Sequence, residues 1–484
     1  MGAPHAGSLR WALLAGVLAL ALAAPHPGSA QERARNTMSW ETGDGRSWAI
    51  PSFEIPAFVA GLNLFNRLFV DPDEYGSDWQ SIKDNLTDGL VIDKDPFSIN
   101  QIGHPYQGGI YYGFARSAGL SYWESAAYTI AGSLLWEAVG ETTPPSLNDM
   151  ITTGIGGVFV GEALFRMASL LLEGGGERPG FWRELGAAAI SPPTGFNRLV
   201  FGDRFDAVFP SRKPANFIRL RLGVTLTTDV NTGGLTDNVE TLEGSLDYSM
   251  IYGLPGKPGY KYTRPFDFFQ FDIMAVPNAD PISNLIENAA IHGLLLGTGY
   301  ELGEDYRGLW GLFGIFEYLS PQIFRVSTTA LALGTVAQWW LARGFALQGT
   351  VLGGLGFGAA GTVGDQAERD YHYGLIPEVS LGLRAIFGER FMVEATGRQY
   401  YVAGQGAGGG ISTTDIGGEI ITRVNLGFTV RVYGPHGIGV QYLLSRRETN
   451  VAGLGDRRQR IESVSLTYNF LGESRFGAVE WRPE

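Results

Sequence analysis

Residues 217–230 read FIRLRLGVTLTTDV, and apolar and polar side chains alternate along this stretch. One face carries Leu220, Leu222, Val224 and Leu226, and the other carries Arg219, Arg221, Thr225 and Thr227. Successive side chains of a β-strand point to opposite faces. A strand with lipid on one side and a polar lumen on the other has to alternate in this way. The stretch therefore predicts one strand of a membrane β-barrel.

The same period of two recurs through the second half of the chain. Segments of this kind start near residues 215, 238, 266, 284, 306, 322, 343, 374, 390, 418, 436 and 459. Twelve is an even number, as a closed antiparallel barrel from one chain requires, and the segment boundaries leave a range of about ten to fourteen. Gly388-Glu389 and residues 434–437 suit tight turns, and the Gly-rich stretches near 355–365 and 403–418 suit longer outer loops.

A soluble β-sandwich or lipocalin-like barrel is the alternative. Its strands alternate in the same way, but with the polar face outward and the apolar face inward. Three features favour the membrane barrel. Arg and Glu recur on the same strand face, the chain starts with an export signal, and aromatic residues cluster at strand ends. The clustered aromatic residues are Phe269, Phe271, Trp339, Trp340, Tyr400 and Tyr401.

The bulk composition agrees with a membrane barrel. Of 484 residues, 69 are Gly and 12% are aromatic, while only 18% are charged. The chain has no Cys, so neither disulfides nor thiolate metal sites can form. A net charge of -13 argues against nucleic acid as a partner, since phosphate binding needs clustered Lys and Arg.

The N-terminus has the pattern of a secretory signal peptide. Arg10 precedes an apolar run from Trp11 to Ala24, and the small residues 28–30 then offer a cleavage site. An uncleaved inner-membrane anchor is the alternative, although the run is shorter than the ~20 residues of a spanning helix. We expect cleavage before Gln31 and delivery to the bacterial outer membrane.

The region between the signal and the barrel has helical chemistry. Short helices are predicted at 56–69, 77–86 and 181–190, and residues 93–112 are predicted to form a loop. Ser121 and Glu124 form a capping box that opens a helix ending near Gly140. Ser146 and Asp149 resemble a second cap, for a helix that extends to about Glu173.

The last of these helices is long enough to cross a membrane, but charged residues interrupt it. Asp149, Glu162 and Arg166 would each be costly against lipid, which favours burial inside the barrel or at its periplasmic mouth. Glu162 and Arg166 are four residues apart and can pair along the helix. The small residues Gly154, Gly157 and Gly161 lie near one face, where a second backbone can approach closely.

A cluster of polar residues that are expensive to bury falls in the same region. Its members are His104, Arg116, Glu137, Glu141, Asn148, Asp149, Glu162 and Arg166. The structural interpretation is that the carboxylates pair with Arg116, Arg166 and lumen arginines, and so seat the helices within the barrel. Three alternatives remain, namely binding or transport, a metal held by Glu137, Glu141 and His104, and acid–base catalysis.

Motifs in series across this region resemble one protein family. The motifs are NQIGHPYQG (100–108), Arg116 with Gly119 and Trp123, GSLLWEAVGE (132–141), PSLND (145–149) and GGVFVGEALFR (156–166). Over roughly residues 80–200 the chain resembles the domain of unknown function 3943 family of predicted bacterial outer-membrane proteins. The resemblance implies export and an outer-membrane setting, and it implies no assigned activity.

The sequence thus predicts an α+β protein with an N-terminal helical domain followed by a transmembrane antiparallel β-barrel of about twelve strands. The expected segments are a signal peptide (1–30), a flexible leader (31–52), a helical plug-like domain (53–205), the barrel (213–471) and a tail (472–484).

Two functions are compatible with this organisation. The first is a non-enzymatic pore, transporter or envelope structural component, in which the helical domain plugs or underlies the barrel. The second is an enzyme acting on lipid or lipopolysaccharide through His104 and nearby carboxylates. No zinc-protease or serine-hydrolase motif is found, and no cofactor is expected. The expected partners are outer-membrane lipids and the barrel-assembly machinery, which would read the strand VSLTYNF (464–470).

Overall fold

The computed structural model describes residues 38–482, apart from 94, 177, 233–239, 277–284, 322, 363–368, 370, 405–416 and 452–454. The predicted signal peptide and cleavage site lie outside the described residues. The chain divides into two compact units. The helical unit holds the chain up to Asp93 together with Ile102–Ser211, and the barrel unit holds Lys94–Gln101 together with Arg212–Glu484.

The helical unit consists of α-helices joined by short connections. They are α1 (Ala49–Phe69), α2 (Trp79–Thr87), α3 (His104–Ser117), α4 (Tyr122–Val139), α5 (Leu147–Ile151), α6 (Gly157–Glu173), α7 (Phe181–Ile190) and α8 (Pro192–Phe201). A π-helical turn, Thr152–Gly156, joins α5 to α6, so that one continuous helix runs from Leu147 to Glu173. By length and composition this helix could cross a membrane, but 72% of its most apolar window is buried, as in the core helix of a folded domain.

The capping signals in the sequence place several helix starts correctly. Ser121 accepts a hydrogen bond from the Glu124 backbone N–H while the Glu124 side chain accepts one from the Ser121 N–H, so the predicted capping box is confirmed. Ser146 caps α5 in a similar way by accepting from the Asp149 N–H. The helix predicted from Ser77 is instead capped by Asp78, whose carboxylate accepts from two backbone donors.

Three local predictions in this unit were wrong or incomplete. Residues 104–112, predicted as part of a loop, belong to α3. Pro105 is compatible with this helix because it lies in the first turn, where a helix needs no N–H donor. Helix α1 begins at Ala49, within the predicted leader, and Pro51 takes the equivalent place there. Helix α8 was not predicted, and a proline again stands at its start.

Glycines allow α3 and α6 to cross at close range. A Cβ atom added to Gly157 would lie 2.5 Å from the Cα of Gly108, and one added to Gly161 would lie 2.6 Å from the Cβ of Tyr112. The predicted close approach of a second backbone is therefore confirmed at Gly157, whereas at Gly161 the close neighbour is the Tyr112 side chain. At Gly154 the corresponding distance to Ile130 is an ordinary 3.7 Å.

We expect Gly157→Ala to destabilise the helical unit by about 1–3 kcal/mol, because the methyl group has no room against the backbone of α3. Gly61→Ala is the matched control, since a Cβ atom at Gly61 meets nothing within 4 Å. That control should be neutral or stabilising by up to about 1 kcal/mol, as alanine favours helix over glycine. Urea unfolding followed by ellipticity at 222 nm measures both; equal stability of the two variants would contradict the close crossing.

The barrel unit is a closed antiparallel sheet of twelve strands. They are β1 (Asn216–Thr232), β2 (Glu240–Tyr252), β3 (Phe269–Ala275), β4 (Ile286–Leu302), β5 (Tyr306–Leu319), β6 (Phe324–Ala342), β7 (Phe345–Thr362), β8 (Tyr371–Phe387), β9 (Phe391–Gly404), β10 (Gly417–Tyr433), β11 (His436–Val451) and β12 (Gly455–Leu471). Each strand pairs with its neighbours in sequence, and β1 closes the barrel by pairing with β12. The predicted fold class and strand number are confirmed.

The exterior of the barrel is apolar, as the alternation predicts. In β1, Leu222, Val224 and Leu226 are exposed while Arg219 and Arg221 are buried. Register continues this pattern around the sheet, because Leu222 stands beside Leu246 of β2 and Tyr468 of β12. An exposed apolar surface on strands with a polar interior is the arrangement of a transmembrane barrel.

The interior differs from the prediction of a polar lumen in one respect. A large part of it is filled by apolar side chains, including a cluster formed by Leu294, Leu309, Phe313, Ile315 and Leu352. Phe268, from the connection between β2 and β3, packs into this cluster. The predicted loop at 355–365 was also wrong, because β7 continues to Thr362, whereas most of the predicted loop at 403–418 lies outside the described residues.

Candidate functional site

The predicted polar cluster lies in the helical unit, where the structure separates it into distinct groups. All of its members are buried except Glu141, which is half-buried. Arg116, Glu162 and Arg166 form one group, which we call the arginine–glutamate triad. His104, Asn148, Asp149 and Glu137 lie near one another in a second group, around the start of α5.

The arginine–glutamate triad is a buried ion pair with three members. The Nε of Arg116 lies 2.9 Å from Oε2 of Glu162, and the Nε of Arg166 lies 2.7 Å from Oε1. The predicted pairing of Glu162 with Arg166 is therefore confirmed. Tyr112 also donates its hydroxyl to Glu162, at 2.7 Å. Each carboxylate oxygen thus has a charged donor, as a buried charge requires.

Aromatic rings complete the surroundings of the triad. The Arg116 guanidinium lies 4.9 Å from the ring centre of Phe165 and 4.7 Å from that of Phe209, and Arg166 lies 5.1 Å from the same Phe209 ring. These contacts stabilise the cations through the ring quadrupoles. The triad joins α3 to α6 and leaves no exposed side-chain charge for a ligand, so its arrangement is that of a structural element.

His104 lies between a hydroxyl and a carboxylate. Its Nδ1 is 3.1 Å from the Oγ1 of Thr153, and its Nε2 is 3.8 Å from Oδ1 of Asp149. The three side chains resemble the order of a hydrolytic triad, but His104 is 5% exposed, Asp149 3% and Thr153 1%. A lipid substrate cannot reach these atoms without an opening of the fold. A catalytic role for His104 stays a prediction, which lipid profiles of cells carrying His104→Ala would test.

Glu137 and Glu141 both accept hydrogen bonds within the helical unit, and their pairing with arginines stays a prediction. Glu137 accepts a hydrogen bond from the Ser146 N–H at 2.7 Å, so it fixes the chain before α5. Glu141 accepts from the indole Nε1 of Trp136, its neighbour on α4. The two carboxylates therefore serve hydrogen bonds within the helical unit. In the part of the chain that the structure describes, no three His, Asp or Glu side chains converge as metal ligands.

Burial controls the protonation of this second group. Burial, and then the charge of Asp149, raises the pKa of Glu137 from 4.5 to about 9. Burial lowers the pKa of His104 below its ordinary value of 6.5, against the opposing effects of Glu141 and Asp93. Burial also raises the pKa of Asp149, to about 8. All three shifts favour the neutral form, so at neutral pH Glu137 and Asp149 are mainly protonated and His104 is uncharged.

The Glu137 shift predicts that the helical unit loses stability as the pH rises. The unfolded chain releases the Glu137 proton above about pH 4.5, whereas the folded unit holds it up to about pH 9. The stabilisation that Glu137 provides is therefore complete below about pH 4.5, the pKa of Glu137 in the unfolded chain. This stabilisation is lost progressively as the pH rises towards about 9, the pKa of Glu137 in the folded unit. Relative to Glu137→Gln, we expect the wild-type chain to lose on the order of 2 kcal/mol between pH 6 and pH 8.

Urea unfolding of both proteins at several pH values measures this difference. His104 acts in the opposite direction, because its lowered pKa costs stability below its unfolded value, but it is present in both proteins and cancels. Parallel stability curves for the wild type and Glu137→Gln would show that Glu137 is not held protonated.

A second set of buried charges lies inside the barrel, and the sequence-based site did not include it. Glu394 of β9 accepts hydrogen bonds from Arg219 at 3.1 Å and Arg221 at 3.0 Å, both on β1. Because β1 and β9 are not neighbours in the sheet, these contacts cross the lumen. Arg221 also pairs with Asp247 at 3.0 Å. The alternation in β1 had placed both arginines on the lumen face, but no sequence pattern identifies a partner across a barrel.

The C-terminal tail enters the same lumen. After β12 the chain turns back through residues 474–477, and Phe476 and Val479 become buried. The backbone oxygen of Val479 accepts from Gln338 at 2.6 Å and from the Trp340 indole at 2.9 Å. The Phe476 oxygen accepts from Arg384 at 2.7 Å, and the Gly477 oxygen from Gln348 at 3.1 Å.

These contacts place the tail at one end of the barrel. Its apolar residues pack with Phe217, at the start of β1, and with Leu471, at the end of β12. Trp340, Ala346, Ile386 and Met392, which flank the β6–β7 and β8–β9 turns, complete the cluster. The tail therefore fills the lumen at the end of the barrel where β1 begins and β12 ends.

The family comparison agrees with the motifs. Residues 89–193 match the model of the family described as domain of unknown function (DUF3943), which confirms the resemblance. The match covers α3 to α7 and less than half of the chain. A search of curated proteins finds no match.

Among solved structures, the chain is similar to bacterial barrels at low identity. The toluene transporter TodX of Pseudomonas putida is 10% identical, over 54% of this chain and 90% of that chain, with a TM-score of 0.23. The translocator domain of the autotransporter NalP from Neisseria meningitidis is 11% identical, over 53% and 88%, with a TM-score of 0.24. OpdL of Pseudomonas aeruginosa is 11% identical, over 53% and 99%, with a TM-score of 0.20.

Proposed function

We propose that this chain is a non-enzymatic outer-membrane pore whose lumen is closed at rest by its own C-terminal tail. The hydrogen bonds from lumen-facing side chains to the tail backbone carry the proposal. Three backbone oxygens of the tail, those of Phe476, Gly477 and Val479, accept these hydrogen bonds. The donors are the side chains of Gln338, Trp340, Gln348 and Arg384. Side chains of β6, β7 and β8 thus hold the tail by its backbone, which fits a fixed occupant of the lumen.

An outer-membrane location is supported by the sheet itself. All backbone donors and acceptors of a closed sheet are paired within the barrel, and an apolar exterior avoids the cost of exposed polar groups in lipid. Exposed leucines and valines on β1, β8 and β12 supply that exterior. The even strand number places both ends of the barrel sequence on one side, which in this proposal faces the periplasm.

Conductance in planar bilayers tests the proposal. The full chain should be silent, and a chain that ends at Gly472 should conduct, because the tail no longer occupies the lumen. Folding of the shortened barrel is checked by its heat-modifiable migration in gels. A folded but silent truncated barrel would overturn the proposal, and so would open channels in the full chain. The helical plug stays a separate prediction, tested by deletion of residues 31–205 in the same assay.

A further inference from the structure

A row of polar side chains crosses the lumen face of neighbouring strands, next to the tail. Gln338 of β6 stands directly opposite Gln348 of β7, and Gln348 stands opposite Arg384 of β8. Side chains in directly opposite positions of antiparallel strands are about 5 Å apart and can contact one another. These three residues, distant in the sequence, therefore form one continuous row, which we call the donor row.

The hydrogen bonds within the donor row all run in one direction. An arginine side chain can only donate, and Arg384 donates its Nη1 to Oε1 of Gln348 at 2.6 Å. The amide nitrogen of Gln348 then points the other way and donates to Oε1 of Gln338 at 2.8 Å. Gln338 in turn donates its own amide nitrogen to the Val479 oxygen of the tail. Arg384 thus fixes both amides, and the row presents N–H groups to whatever lies against it.

The tail meets the donor row mainly with acceptors. The backbone oxygens of Phe476, Gly477 and Val479 accept from the row. The Val479 oxygen also accepts from the indole of Trp340, which can only donate. One bond runs the other way, from the Val479 N–H to Oε1 of Gln338 at 2.9 Å. What the lumen recognises in the tail is thus chiefly a set of carbonyl oxygens.

Arg384 has no carboxylate at ion-pair distance in the part of the barrel that the structure describes. Its guanidinium is held by uncharged groups, namely the oxygens of Gln348 and Phe476, the sulfur of Met392 and the ring of Phe217. Glu394 stands opposite Arg384 in the sheet, but its carboxylate bonds to Arg219 and Arg221 instead. A half-buried guanidinium that is held by neutral groups is complementary to an anion, and arginine binds carboxylate and phosphate through parallel N–H groups.

We infer that the donor row and the Trp340 indole form a binding site for one small oxyanion, a carboxylate or a phosphate, and that the tail occupies this site in the closed pore. The tail oxygens carry no full charge, so an oxyanion pairs with Arg384 more strongly than a backbone carbonyl does. The inference rests on the proposed function, because solutes reach the site only when the tail leaves. It assigns anionic solutes to the open pore, since arginines in a pore favour anions.

Equilibrium dialysis of radiolabelled inorganic phosphate tests this inference, with the protein in detergent and the ionic strength held constant with potassium chloride. The chain that ends at Gly472 keeps the twelve strands and the donor row but lacks the tail. The full chain with Phe476→Ser and Val479→Ser keeps its length and loses the buried apolar contacts of the tail. The unchanged full chain, in which the tail fills the site, is the reference. Heat-modifiable migration in gels checks the folding of each protein.

We expect the shortened chain to bind about one phosphate per molecule, and the full chain to bind at least about tenfold more weakly. In the shortened chain, Arg384→Gln should weaken binding by about tenfold or more, because it removes the cation of the donor row. Arg446→Gln is the matched control and should leave binding unchanged, since Arg446 is 51% exposed on the barrel surface. If the shortened chain does not fold, the substituted full chain gives the same comparison. A folded chain with a released tail that binds no phosphate would overturn the inference, and so would binding that Arg384→Gln leaves unchanged.

This assay does not depend on conductance, so the anion site and the pore can fail separately. Phosphate binding by a shortened chain that stays silent in planar bilayers contradicts the pore and supports the site. A shortened chain that conducts but binds no phosphate contradicts the site and supports the pore.

Discussion

Glu162→Gln should destabilise the helical unit by about 3–5 kcal/mol, because it leaves Arg116 and Arg166 buried without a counter-charge. The substitution preserves volume but removes one acceptor and adds an amide donor where three donors already converge. Those donors are the two guanidinium groups and the Tyr112 hydroxyl. Urea unfolding of the full chain in detergent, followed by ellipticity at 222 nm, gives the change in free energy.

The matched control for this variant is Glu124→Gln. Glu124 pairs with Arg46 at 3.1 Å, where both side chains are partly exposed, and glutamine can keep the capping bond to Ser121. An exposed pair contributes at most about 1 kcal/mol. A cost for Glu162→Gln as small as that of Glu124→Gln would contradict the structural role of the triad.

Glu394→Gln should destabilise the barrel by a comparable amount, about 3–5 kcal/mol. Arg219 and Arg221 both donate to this carboxylate across the lumen, and Asp247 compensates only Arg221. Gly427 makes room for Glu394, because a Cβ atom there would lie 2.6 Å from Oε1. The loss is measured by urea unfolding in detergent with tryptophan fluorescence.

Glu448→Gln serves as the control in the barrel, since Glu448 pairs with Arg446 on a partly exposed surface. Its expected cost is below about 1 kcal/mol. If Glu394→Gln were as mild as this control, Glu394 would not be the counter-charge that the two lumen arginines depend on.

The barrel could be predicted from sequence because its signal is local and repeated. Each strand start lies within four residues of its predicted position, since the period of two is fixed by lipid outside the sheet. The apolar part of the lumen could not be predicted in this way. Phe313 and Ile315 alternate with Leu312 and Gly314 in β5, so both faces of this strand are apolar. The pattern therefore does not show which face points into the lumen.

The polar cluster was predicted as a set of residues, but its division was not. Glu162 and Arg166 are a local pair, which the helical spacing identifies. Arg116 joins them only because α3 exists, and residues 104–112 of that helix had been predicted as part of a loop on account of their Gly and Pro. The same glycines are the reason that α3 can lie against α6, so the composition that suggested a loop reflects close helix packing.

The tail was predicted only as residues following the last strand. Its role depends on Gln338, Gln348 and Arg384, which lie about 90–140 residues earlier in the chain. Such contacts between distant residues are set by closure of the barrel and leave no local pattern. The alternation around Leu381 and Leu383 places Arg384 on the polar face of its strand, and this is the part of the signal that could have been used.

The most direct test of tail closure keeps the tail and removes two of its four side-chain donors. Single-channel conductance is recorded for the full chain and for the double variant Gln338→Ala with Arg384→Ala. This variant lacks one of the two donors to Val479 and the donor to Phe476, while Trp340 and Gln348 remain. We expect the full chain to stay closed and the variant to show transient openings as the tail leaves the lumen. A variant that remains as silent as the full chain, with its barrel folded, would contradict closure of the pore by the tail.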